Sequence, residues 1–255
     1  MIQAQCDSGK GIQRPESGSR EGLKQVGNGR VENGMEMMNM DRSMVERIVR
    51  QVALDYLGRG DHETAPVLTV QASSRHMHVS REDMDVLFGA GTELTFDRPL
   101  YQEGNFAAKE TVTIVGPRSR VISNLRILGP MRKQSQVELA FTDAIMLGFK
   151  EIPVRLSGDI TGTPGAVLIG PNGVVELKEG LIRAAIHVHM NPAEAAYFGV
   201  TKGDRMNLRI GGVAGVTFNH VHVRIDPKSR LNVHMDTDEA NACGLHLTND
   251  VELTK

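Results

Sequence analysis

The chain contains no tryptophan and only two cysteines, and aromatic residues make up just 4% of its 255 positions. A core so short of rings has to be filled by valine, isoleucine, leucine and methionine. Cys6 and Cys243 stand in unlike contexts at opposite ends, which excludes a disulfide framework and predicts a reducing, cytoplasmic setting. No apolar run approaches the roughly 20 residues a membrane helix needs, so no membrane partner is expected. The polar, glycine-bearing start lacks the apolar stretch of a secretory signal. An excess of either charge is missing too: a formal net charge of -2 argues against a dedicated nucleic-acid binder, whose domain would be strongly basic. Apolar content of 40% and charged content of 24% are ordinary for a soluble globular protein, and the length leaves room for two sizeable cores.

What the chain does have is a small pattern that occurs twice. Arg75-His76-Met77-His78-Val79-Ser80 and Ile186-His187-Val188-His189-Met190-Asn191 each carry two histidines around one residue. In an extended strand, side chains i and i+2 share a face, so each pattern presents two imidazoles side by side. The likeness continues: Ser80 and Asn191 read as helix N-caps, Asp83 and Glu194 fall in the first turn, and Gly89 and Gly199 end each segment. This is an internal duplication, and a duplication predicts a repeated third ligand. Gln136-Val137-Glu138 and Asn232-Val233-His234 are each followed by an apolar residue and then a Thr-Asp pair leading to Gly148 or Gly244. Unit one therefore offers His76, His78 and Glu138; unit two offers His187, His189 and His234. Three protein ligands with an open fourth position suit a catalytic, zinc-like ion.

Blander readings compete. A lone histidine is more often a core or surface residue, and a single His-x-His is weak. His76-x-His78 followed by Glu82 and Gly89 also fits half of a cupin-type metal motif. Against that, Glu82 falls in a helical pattern and the second cupin motif has no match.

Residues 1–42 are polar, glycine-bearing and without sustained periodicity, and are expected to be a disordered tail. Residues 43–58 read as one amphipathic helix: Ser43 and Glu46 form a capping box, Val45, Ile48, Val49, Val52 and Tyr56 form one stripe, and Gly58 stops it. Residues 59–66 read as a linker, with His62 solvated. From Val67 the chain turns to short alternating strands at close spacing with few helices, which predicts a mainly β protein of two small β-barrels. The first barrel spans 76–185; the second takes 186–255.

Between Val112 and Val137 there is no acidic residue, but Arg118, Arg120, Arg126, Arg132 and Lys133 are present. Arg118 and Arg120 read as solvated charge. Arg132, six residues before Glu138, is within reach of the metal cleft. A guanidinium beside two cations needs an anion between them, and phosphate suits its bidentate fork.

At this point the chain resembles a family, the PduL-type phosphate propanoyltransferases. The resemblance rests on Arg75–Ser80, on Ala107-Ala108-Lys109-Glu110-Thr111-Val112, on Leu128 to Glu138, on His187-Val188-His189-Met190 and on Met235 to Asn241; it covers residues 66–255. It implies two small β-barrels with a dinuclear zinc site in the cleft between them, and 67–75 pairing into the second barrel. One metal would fall to His76, His78 and Glu138 and the other to His187, His189 and His234, with Arg132 on phosphate and Ser157 near it. It also implies reversible acyl transfer between coenzyme A and phosphate inside bacterial microcompartments that degrade compounds such as 1,2-propanediol, and a homo-oligomer is expected.

The reaction would join propanoyl-CoA and phosphate within one ternary complex, with no covalent acyl-enzyme, since Cys6 lies in the tail and Cys243 reads as a packed thiol. A dinuclear thioesterase and a non-catalytic metal-binding shell module remain as alternatives. The helix at 43–58 has two readings: an encapsulation peptide that docks on shell or lumen proteins, or an element packed on the barrels.

Overall fold

The computed structural model describes residues 65–255 and, before them, Val49 alone. The expected tail at 1–42, the helix at 43–58 apart from Val49, Cys6, His62 and most of the linker lie outside the described residues.

The short alternating segments become strands, as their period of two requires. The strand β1 (Thr69–Ser73) comes first. Next come β2 (His76–His78), β3 (Phe96–Pro99), β4 (Phe106–Val115), β5 (Val121–Gly129), β6 (Gln136–Glu138), β7 (Val154–Arg155), β8 (Ala166–Ile169), β9 (Val174–Leu177) and β10 (Leu181–Ala184). These nine make one sheet in the order β7-β10-β6-β2-β5-β4-β8-β9, with β3 paired to β4. The chain then forms β11 (His187–Met190), β12 (Arg205–Ile210), β13 (Val216–Ile225), β14 (Asn232–Asp236) and β15 (Val251–Thr254). With β1 they make a second sheet, ordered β1-β14-β11-β13-β12-β15.

Each barrel-like sheet encloses its own core. Met77, Ile114, Leu125, Ile127, Val137 and Leu168 fill the first; Val188, Met190, Met206, Leu208, Val221 and Val233 fill the second. Both cores are aliphatic and methionine-rich, as the shortage of rings predicts. Burying each such side chain contributes roughly 1.5–3 kcal/mol.

The duplication reappears as matching register. β2 lies between a parallel β5 and an antiparallel β6; β11 lies between a parallel β13 and an antiparallel β14. His76 faces Glu138 across its ladder as His187 faces His234. Helix α1 (Arg81–Phe88) follows β2, with the Ser80 side chain accepting from the Asp83 amide. Helix α2 (Phe141–Leu147) follows β6. Helix α3 (Pro192–Phe198) follows β11, capped reciprocally by Asn191 and Glu194, and ends at Gly199 in the left-handed region. Helix α4 (Thr237–Ala242) follows β14. Glu82, which a cupin-type site would need, is exposed on α1.

The strand leading into each His-x-His belongs to the other sheet. β1 runs parallel to β14, and β10 runs parallel to β6. The two exchanges leave only Ser74-Arg75 and Ala185-Ile186 to cross the seam before β2 and β11 begin. Side chains then tie the seam. Arg183 on β10 pairs with Asp236 and Glu239, and its guanidinium lies 5.1 Å from the Phe141 ring. Burial opposes the Arg183 charge, but Glu239 and Asp236 outweigh it and raise its pKa. The Thr142 amide donates to the Asp238 carboxylate at 2.9 Å, joining the first turns of α2 and α4.

Several elements escape the periodicity. β3 and β15 are short strands at sheet edges, and α2 and α4 are too brief to show a helical period. β13 runs unbroken through the polar pair Asn219 and His220. His220 takes a φ of 63°, and the register of β13 with β12 shifts over Met206 to Leu208. A bulge thus absorbs the polar pair within the strand.

Candidate functional site

β2 and β11 turn one face to their cores, through Met77 and Val188, and the other to the seam. Hence the imidazoles of His76, His78, His187 and His189 all face a cleft of about 480 Å³ that Glu138 and His234 also line. His76 and His187 are anchored identically. The Nδ1–H of His76 donates to the Ser74 carbonyl and that of His187 to the Ala185 carbonyl, each at 2.8 Å. Both acceptors are crossover residues two positions upstream. A donating Nδ1 leaves the Nε2 lone pair free for a ligand, and such a backbone anchor holds the ring in orientation.

The two groups predicted from the duplication come together in space. His76, His78 and Glu138 offer ligand atoms all within 4.8 Å of one another, and so do His187, His189 and His234. His76 Nε2 lies 3.5 Å from Glu138 Oε2, and His187 Nε2 lies 3.1 Å from His189 Nε2. Two ligands on one tetrahedral ion at roughly 2.0–2.1 Å sit about 3.3 Å apart, so these spacings suit a zinc-sized cation. His234 Nε2 and His78 Nδ1 are buried without a hydrogen-bond partner. A metal relieves such an orphan at His234, and the donor set of nitrogens and one carboxylate suits a first-row divalent ion.

Protonation points the same way. Burial first, then Arg224, brings His187 down to about 4. Burial and His187 bring His234 to about 4; burial, His187 and His234 bring His189 to about 2. Burial, His76 and Arg132 bring His78 to about 3. These four are neutral imidazoles near pH 7. Burial opposes charge on His76 as well, but facing Glu138 outweighs it and raises its pKa. Burial would raise Glu138, yet His76 and the Ser157 hydroxyl hold it well below the usual carboxylate range.

Arg132 follows β5 in the first unit. Its amide donates to the Val79 carbonyl at 2.9 Å, and its guanidinium donates to Ser157 Oγ at 2.9 Å. Burial and the nearby Arg224 lower its pKa, with Glu138 opposing them. Ser157 is thus beside Arg132, and both line the cleft with the two triads. Two further residues were not foreseen. Gln136 donates to Glu138 Oε1 at 2.7 Å and to Ser157 Oγ at 3.0 Å, while its Oε1 accepts from the Gly158 amide at 2.7 Å. It links a ligand candidate to the Arg132 support, and its place two residues before Glu138 on one strand face was the available signal. Arg224 lies beside His189 in the parallel ladder of β11 and β13, a neighbour no sequence spacing reveals. Cys243 is buried, with its thiol donating to the Ala240 carbonyl at 3.4 Å, a packed residue outside the cleft.

Comparison with known proteins follows the same direction. A family model described as phosphate propanoyltransferase matches residues 69–246. A phosphate propanoyltransferase of Planctopirus limnophila is 50% identical over 227 residues, covering 85% of this chain and 93% of the relative. One of Thermotoga maritima is 49% identical over 182 residues, covering 71% and 86%. One of Listeria monocytogenes is 46% identical over 202 residues, covering 79% and 89%. The chain belongs to the phosphate propanoyltransferase family.

Proposed function

We propose that this chain interconverts propanoyl-CoA plus phosphate with propanoyl phosphate plus CoA, at two divalent metals held by His76, His78, Glu138 and by His187, His189, His234. The observation that carries this reading is the pair of triads at matching register, sharing one cleft with Arg132 and Ser157. When bound, the ions, for which zinc is the best-suited candidate, supply Lewis acidity toward phosphate and thioester oxygens.

The chain's own residues do the rest. Arg132 binds phosphate oxygens as a fork and turns a weak nucleophile toward the thioester carbon. Ser157 holds that guanidinium, and Gln136 fixes Ser157 and Glu138 in turn. A phosphate oxygen forms the new bond to the carbonyl carbon as the carbon–sulfur bond breaks. The thiolate leaves readily because a thiol has a pKa of only about 8.5. Attack occurs in a ternary complex: the one thiol of the described residues, Cys243, is buried outside the cleft and offers no covalent acyl carrier.

The decisive assay offers purified protein propanoyl-CoA with and without phosphate. Acyl phosphate formed only with phosphate, and CoA release with arsenate, is the expected result. Phosphate-independent CoA release would make the protein a thioesterase, and no turnover would make it a metal-binding module.

We further propose that the enzyme works inside a bacterial microcompartment, addressed by the segment 43–58, whose sequence pattern is that of an amphipathic helix. An isolated helix of that length is marginal in water and gains stability by docking its apolar stripe on a partner. Deleting residues 1–58 should leave soluble turnover nearly intact and abolish co-purification with shells. A truncated enzyme that unfolds or changes oligomeric state would return the helix to the fold.

A further inference from the structure

Five arginines line the cleft. Arg75 pairs with Asp143 at 2.9 Å, and Arg98 with Asp97 at 3.4 Å. Arg126 donates to the carbonyls of Ala108 and Lys109 at 2.8 and 3.1 Å. Arg132 donates to Ser157. The side chain of Arg224 alone makes no hydrogen bond or ion pair with any described residue.

Its placement makes that isolation costly. Val221 and Val223 of β13 point into the core, so Arg224 points out on the seam side, half-buried. The ladder sets it beside His189. It also acts on Arg132, so two guanidiniums from different sheets oppose each other's charge in one cleft. A half-buried cation without a counterion, next to a second cation, is a poor structural choice; an aliphatic residue there would avoid the penalty. Nor is it a relic of the duplication. Ile127 pairs with Met77 as Val223 pairs with Val188, so the counterpart of Arg224 is the apolar Leu128.

We propose that Arg224 is a second phosphate contact, binding from the second sheet the same anion that Arg132 binds from the first. The inference rests on the phosphotransacylase reading and adds a residue to it. With the anion present, each guanidinium gains a charge-assisted hydrogen bond and the repulsion between them is relieved.

The test compares full-length wild type, Arg224→Gln and Arg224→Lys in steady-state kinetics, metal content and calorimetric titration with inorganic phosphate. Arg224→Gln should raise the KM for phosphate about tenfold or more, the scale of one lost charged hydrogen bond. The KM for propanoyl-CoA should stay unchanged, phosphate binding by calorimetry should weaken in parallel, and Arg224→Lys should restore part of both. Unchanged phosphate KM and affinity overturn the proposal. A change confined to propanoyl-CoA also overturns it, assigning Arg224 to the coenzyme instead. If Arg224→Gln loses metal or melts early, Arg224→Lys decides: weakened phosphate binding at full metal content supports the role, and wild-type binding removes it. A wild-type protein that forms no acyl phosphate would refute the parent reading, while phosphate titration of wild type against Arg224→Gln still judges this residue separately.

Discussion

Replacing His187 by Ala is expected to lower kcat by about 1000-fold, roughly 4 kcal/mol of transition-state stabilisation. His187 is buried, anchored through Nδ1 on Ala185, and lies 3.1 Å from His189. Its removal leaves His189 and His234 as a two-ligand site, which binds a catalytic ion poorly. His76→Ala should act likewise on the other group, with an added penalty. Glu138 would lose the facing imidazole that most favours its charge, leaving a buried carboxylate less compensated. Metal analysis by mass spectrometry should find two divalent ions per chain in the wild type and one in each single variant. Full occupancy in a His76→Ala/His187→Ala double variant would sink the ligand assignment.

Arg132→Ala should be the other large loss, costing about 2–4 kcal/mol through a raised KM for phosphate or a lowered kcat. Both metals should stay bound, because the Arg132 side chain donates to Ser157 rather than to a ligand candidate. Arg132→Lys should recover only part, since an ammonium cannot form the two parallel hydrogen bonds of a guanidinium. Phosphate saturation curves measured alongside metal content check both statements. Wild-type phosphate kinetics in Arg132→Ala would make the arginine structural.

Much of the site is legible before any coordinates because its parts are local. His76 with His78, and His187 with His189, share faces through a two-residue period that needs no tertiary information. Ser80 and Asn191 announce their helices through capping spacing. The repeat then adds what locality cannot. Glu138 is 60 residues beyond His78 and His234 is 45 beyond His189, separations read from the chain itself. It is the matching context, Val before and Thr-Asp after, that singles them out. Gln136 was within reach of the same reasoning, lying two residues before Glu138, but a glutamine carries no metal or catalytic signature to attract notice.

The sequence by itself determined the β character, the aliphatic cores, the duplication, and the grouping of six side chains into two sets. Each follows from composition or from spacings of a few residues, repeated. Only the tertiary structure decided that Arg183 ties the seam through Asp236 and Glu239, and that the Arg224 side chain stands beside His189 without a hydrogen-bond or ion-pair partner among the described residues. These depend on which distant strands become neighbours and in what register. A strand's own pattern records which face is buried, but not which strand lies alongside. The neighbour is chosen by the packing of whole sheets, and with it the environment of every charge along the seam.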